Sequence, residues 1–183
     1  MATTTKLVTY EEWLNMPEVE DAIEEVVNGE IVTMPPPKLP HASVVENLRD
    51  IVGAQLNRQI FRIYITNFGL VIRRDPLTCR VPDLAVFRRS NMVVVDGYIH
   101  STPELAVEVL SPANRRSERE EKLRDYESLG VPEIWVVSPE AQTFEILLLK
   151  EQKLTTVALL RDGALRPTQF PEVTVDIAAV WQD

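Results

Sequence analysis

The sequence predicts a mixed α/β fold in which a central sheet is flanked by helices. Three observations carry that expectation. Val44, Val45, Leu48, Ile51, Val52, Leu56 and Ile60 recur at helical spacing. Short runs rich in valine, isoleucine and leucine recur along the rest of the chain. A charged helical segment, 117–129, lies between two of those runs. The chain has 183 residues, 45% hydrophobic and 26% charged, the ordinary balance of a globular protein. One domain over 1–183 is expected, since a chain this long can bury roughly 70% of its unfolded surface.

Taken in order, the first helix is expected to open at Thr9, with Glu12 completing a capping box, and to stop near Pro17. Glu25-Val26-Val27 and Glu30-Ile31-Val32 flank Asn28-Gly29, the pair that supplies the positive φ of a type I′ hairpin turn. Pro35-Pro36-Pro37 breaks the chain before the long helix, placed at about 41–59. Strands are expected at 63–66, 70–72, 81–87 and 105–110. Ser117-Glu118-Arg119-Glu120 reads as a second capping box, opening a helix that Gly130 ends. Strand 133–137, a closing hairpin of 143–149 and 153–160, and a short helix after Val175 complete the order.

Composition narrows the function classes. Nothing approaches 18 consecutive apolar residues, so no membrane span is expected. The first residues lack the apolar stretch of a secretory signal, and a cytoplasmic location is expected. Cys79 is the lone cysteine, which excludes an internal disulfide and any cysteine-based metal spacing. The net charge of −9 argues against a general nucleic-acid coat protein. Residues 73–124 nevertheless hold ten bases against eight acids, compatible with one anionic substrate at one site or with a solvated basic face. There is no glycine-rich phosphate loop, no H-E-x-x-H and no G-x-S-x-G.

Three features violate the pattern around them. Asp83 sits in the apolar run Val81-Pro82-Asp83-Leu84-Ala85-Val86-Phe87; taken alone it fits a strand edge or bulge as well as a functional acid. Glu108 lies mid-strand between Val107 and Val109, and a buried unpaired carboxylate is costly. Something positive should oppose it, either a structural arginine or a metal ion. Lys122 and Tyr126 are four apart and share a helical face; the lysine alone fits a side chain that snorkels beside the core. Together they read differently. Two carboxylates on neighbouring strands can share a hard divalent cation, Mg²⁺ being usual with phosphate substrates. A lysine beside them can orient water or steady transition-state charge. Without an ion the two acids repel, so Asp83→Ala is expected to relieve strain.

The run 81–84, then 104–112, then Lys122 and Tyr126, then 130–137 closely resembles the Uma2 family, which is placed in the PD-(D/E)XK nuclease superfamily. Upstream, 24–31 looks like its N-terminal Glu-x-x-x-Gly-Glu segment, and 36–41 like its proline-histidine stretch. The resemblance spans about residues 7–180. It implies a restriction-endonuclease-like fold, with Asp83 and Glu108 as metal ligands, the Val109 carbonyl as a third, and Glu25 as an additional catalytic acid. One position departs from the superfamily pattern. The lysine normally two residues after the second acid is Leu110 here, which makes Lys122 the candidate catalytic lysine.

Two functions of different class follow. The favoured one is a Mg²⁺-dependent endonuclease (Mn²⁺ also suits the site) acting on DNA and working as a homodimer, because one small domain cuts one strand. The other is a nuclease-derived fold that binds nucleic acid or a protein and no longer cuts. His41 fits the family's histidine but also begins a helix, and a local structural role serves equally well. His100 has no evident partner in the sequence, and Cys79 has no base near it.

Overall fold

The structure is a computed structural model that describes residues 7–182 apart from 18, 21, 67 and 112–115. Pro112, within the run 104–112, and Arg115, one of the ten bases of 73–124, lie outside the described residues. The element order is α1 (Tyr10–Leu14), β1 (Ile23–Val27), β2 (Glu30–Met34), α2 (Leu39–Gln55), β3 (Phe61–Ile65), β4 (Leu70–Arg74) and β5 (Leu77–Arg80). It continues with β6 (Leu84–Arg88), β7 (Val94–Val95), β8 (Tyr98–Ile99), β9 (Leu105–Val109), α3 (Arg116–Leu129) and β10 (Glu133–Ser138). The chain closes with β11 (Thr143–Lys150), β12 (Lys153–Leu160), β13 (Ala164–Leu165), β14 (Val175–Asp176) and α4 (Ile177–Val180).

The fold class is the expected mixed α/β, but the strands divide between two six-stranded sheets and one small pair. The first sheet runs β2-β1-β5-β4-β8-β7 and the second β12-β11-β10-β9-β6-β3. In the second sheet β9 and β10 are parallel, and α3 crosses between them. Its other pairs are antiparallel, and β10–β11 and β11–β12 are direct hairpins.

The second sheet is covered on both faces. Leu84, Val86, Leu105, Val107, Trp135 and Val137 pack under Val44, Val45, Leu48 and Val52 of α2. By the two-residue period, Ala85, Phe87, Ala106, Ile134 and Val136 face the other way and meet Tyr126 of α3. Leu70 and Ile99 of the first sheet join this second cluster, so it seals the two sheets together. Each fully buried valine or leucine contributes about 1.5–3 kcal/mol. The hydrophobic effect thus fixes which face of β9 turns to α3.

Several local expectations hold. Thr9 and Glu12 form the reciprocal capping box of α1, and Asn28 and Gly29 take φ of 53° and 83° in the hairpin turn. Others are corrected. The long helix begins at Leu39 and ends at Gln55. Its Pro40 lies at the start, where a missing N–H costs nothing. Ser117 sits inside α3, which already begins at Arg116, so it is not the cap. The expected strand 81–87 starts three residues later, as β6 at Leu84, and the sequence reading missed β5, which ends at Arg80 in the other sheet. Pro82 has no N–H, and the Val81 N–H is turned away to the Glu25 side chain at 2.9 Å. The ladder therefore breaks, and Val81-Pro82-Asp83 carries the chain from one sheet to the other.

Candidate active site

That crossing brings the sequence-flagged residues together. The antiparallel register pairs Leu84 with Val107 and Ala85 with Ala106; one step further, Asp83 faces Glu108 across the strands. Both follow the alternation that points Ala85 and Ala106 toward α3, so the two acids share a face. Asp83 is fixed there because its Oδ2 accepts the Val109 N–H at 2.7 Å.

Lys122 comes down from α3 between two acids. Its ammonium lies 2.8 Å from Glu108 Oε2 and 3.0 Å from Glu25 Oε1, and it donates to the Val81 carbonyl at 3.1 Å. Three protons meet three acceptors, which is the full donor capacity of an ammonium. The lysine is 17% exposed, so it is not a surface charge, and the positive partner of Glu108 is this residue, where the sequence reading expected an arginine or a metal ion. Burial opposes its charge, but Glu108, Glu25 and Asp83 together hold the ammonium well above the usual lysine range.

The two acids that Lys122 joins are held differently. Burial pushes the Glu25 carboxyl up, but Lys122, Arg80 and the Val81 amide outweigh it and keep it below its usual range. Glu108 is pushed up to about 7, first by burial, with Asp83 and Glu25 adding to the effect and Lys122 opposing it. Its Oε1 accepts the Tyr126 hydroxyl at 2.5 Å. Burial and the Glu108 charge hold that phenol far above its ordinary value, so Tyr126 is a donor throughout the useful pH range.

Behind Glu25 stands a group that the sequence reading passed over. Arg80 is 4% exposed and joins Glu25 Oε2 at 2.9 Å to Asp125 Oδ2 at 2.8 Å. Lys122, Asp125 and Tyr126 lie three and four residues apart on one face of α3. The signal was present: an arginine ending the wholly buried strand 77–80 must find an acid. His41 was also undervalued. From the first turn of α2 its Nε2 reaches within 3.2 Å of Asp83 Oδ1.

Other candidates fall away. Arg119, the next cation back along α3 and the alternative to Lys122, is paired with Glu145 at 2.5 Å. His100 has a partner after all, the Tyr10 hydroxyl at 3.1 Å. Burial pushes the Cys79 thiol up to about 12, which removes it as a nucleophile.

Among the described residues, no three His, Cys, Asp or Glu side chains stand close enough to hold a metal ion as they are. The donor chemistry nevertheless suits a divalent cation. Asp83 and Glu108 offer carboxylate oxygens on one sheet face, with the Val109 backbone between them and His41 alongside. Glu108 carries the Lys122 ammonium at 2.8 Å.

A mixed sheet with α2 on one face and a strand–helix–strand crossover on the other, its acids at the strand ends, is a restriction-endonuclease-like fold. The chain belongs to the Uma2 family, described as "Putative restriction endonuclease", whose model matches residues 9–178. It is similar in structure to a protein from Anabaena variabilis ATCC 29413, described as "a putative nuclease belonging to DUF820". The TM-score is 0.77 at 21% identity, over 95% of this chain and 97% of that one. At that identity the likeness shows the fold. No curated protein matches the chain. Among the described residues no helix is long and apolar enough to cross a membrane.

Proposed function

We propose that this protein is a metal-dependent endonuclease that hydrolyses phosphodiester bonds in DNA. Asp83, Glu108 and the Val109 carbonyl would hold one Mg²⁺ or Mn²⁺. Residues 1–183 act as one catalytic unit, and two copies pair so that each cuts one strand. The observation that carries the reading is Lys122 at 2.8 Å from Glu108, on the face that Asp83 shares. It restores at a different chain position the lysine that Leu110 does not supply.

When bound, the ion supplies Lewis acidity and lowers the pKa of a bound water. The protein's own residues do the positioning. Asp83 is anchored by the Val109 amide, which leaves Oδ1 facing outward to His41. Glu25, held by Arg80, keeps the Lys122 ammonium aimed at the acid pair. Exchanging one of the three lysine acceptors for a phosphate oxygen places a point charge on the developing oxyanion. Tyr126 donates to Glu108 and fixes the orientation of its carboxylate.

The same geometry favours a second reading, a binding module that no longer cuts. An ammonium with all three protons satisfied already pairs with Glu108 and Glu25 without any ion. Incubating purified protein with supercoiled plasmid, with Mg²⁺, with Mn²⁺ and with EDTA, separates the two. Nicking that needs the cation and is lost in Asp83→Asn supports the enzyme. Intact plasmid in every arm, or nicking by the variant at the wild-type rate, sinks it.

A further inference from the structure

We infer that His41 is a nitrogen ligand of the divalent cation, joining Asp83 and the Val109 carbonyl in a mixed nitrogen–oxygen site. This rests on the metal-dependent reading above and adds a ligand to it. His41 sits in the first turn of α2, which packs on the opposite face of the second sheet from α3. Its ring therefore reaches the acids around the end of the sheet, from the side that Lys122 does not occupy.

The placement has the dimensions of a coordination sphere. Two donor atoms each about 2.1 Å from one octahedral ion, at right angles, stand about 3 Å apart. His41 Nε2 and Asp83 Oδ1 are 3.2 Å apart. The ring also makes a backbone hydrogen bond to Val109 that favours its protonated form; only the carbonyl oxygen can do that. The imidazole thus already touches two of the donors assigned to the cation. In the structure it is Nε2–H that bridges them; in the metal-bound protein the Nε2 lone pair takes that direction and the proton moves to Nδ1.

His41 Nδ1 is buried and has no hydrogen-bond partner, so no second contact locks the ring in the Nε2–H tautomer. The side chain is 11% exposed, held in place but open to a small ion. An imidazole in the sphere shifts preference toward Mn²⁺ over Mg²⁺, since nitrogen donors suit the softer first-row ions better than magnesium.

The test uses the full chain with Mn²⁺ or Mg²⁺ alone. Bound Mn²⁺ in the wild-type protein should show imidazole ¹⁴N modulation by pulsed electron paramagnetic resonance. Labelling histidine with ¹⁵N should remove that modulation, and His100→Gln, altering the other of the two histidines, should retain it. In His41→Ala the modulation should vanish, and the Mn²⁺ dissociation constant from calorimetry should rise tenfold or more, with Mg²⁺ changing less than threefold. Spectra of the labelled and unlabelled wild type keep the question decidable if His41→Ala does not fold. Bound Mn²⁺ without imidazole coupling would overturn the His41 ligand and leave the nuclease reading standing. Failure of the wild type to bind either cation would overturn both.

Discussion

Asp83 Oδ2 accepts the Val109 amide at 2.7 Å, which ties the first acid to the strand that carries the second. This bond reverses one expectation from the sequence, that deleting Asp83 relieves strain. Alanine would leave a part-buried amide unpaired and cost about 1–3 kcal/mol. Asparagine keeps an acceptor in place. Asp83→Ala should lower the melting temperature by several degrees, while Asp83→Asn should stay within about 1 kcal/mol of wild type and still lose cleavage. Thermal melts beside plasmid nicking check both halves.

Lys122→Ala should slow the chemical step by about a hundredfold or more, on the order of 3 kcal/mol of transition-state stabilisation. It should also destabilise the fold. Breaking a buried ion pair costs about 3–5 kcal/mol, here at the lower end because Arg80 still pairs Glu25. Lys122→Arg should rescue only part of the rate, as a planar guanidinium cannot place the same point charge. Adding Glu108→Gln to Lys122→Ala should recover stability without recovering rate. A double variant as unstable as the two single losses combined would mean that the two groups are not coupled.

The acid site predicts how stability follows pH in metal-free protein. Glu108 titrates near 7 in the folded chain and near its ordinary 4.5 when unfolded. Between those values the folded state binds more protons, so stability falls as pH rises. His41 acts in the same sense at and above its ordinary 6.5: burial opposes its charge, but Asp83 holds it higher. Glu25 runs the other way, but only below 4.5. Melting temperature should therefore decline from about pH 5 to about pH 8 in EDTA, with most of the slope absent in Glu108→Gln. A wild-type curve that rises through this interval contradicts the assignment.

Tyr126→Phe removes only the hydroxyl that donates to Glu108 at 2.5 Å. Hydrogen bonds to charged groups contribute about 1.5–3 kcal/mol, and this one favours the carboxylate. Its loss should move Glu108 further up and extend the fall in stability to higher pH. The same melting series reads it, and an unchanged profile would show that the tyrosine serves packing alone.

Much of the fold was legible because local chemistry dictated it. Asn28-Gly29 could only be a tight turn, and the spacing from Val44 to Leu56 could only be an amphipathic helix. The partition into two sheets was not legible. Val81-Pro82-Asp83 is apolar enough to pass for strand, and its break depends on Glu25, fifty-six residues before Val81, capturing an amide. The acids and Lys122 were visible as misplaced charges. Asp125 was not, and neither were the partners of Arg80 and His41, since only folding brings those groups together.

One ammonium fastens the two sheets to each other. Glu25 belongs to the first sheet and Glu108 to the second, and Lys122 grips both within 3.0 Å. Any cation, proton or phosphate that alters a charge at that point therefore acts on a structural rivet. Ligand occupancy should be readable far from the acids, as altered amide exchange in β1 and β9 together, because loosening the rivet frees both sheets at once. Charge balance and rigidity here draw on the same three side chains.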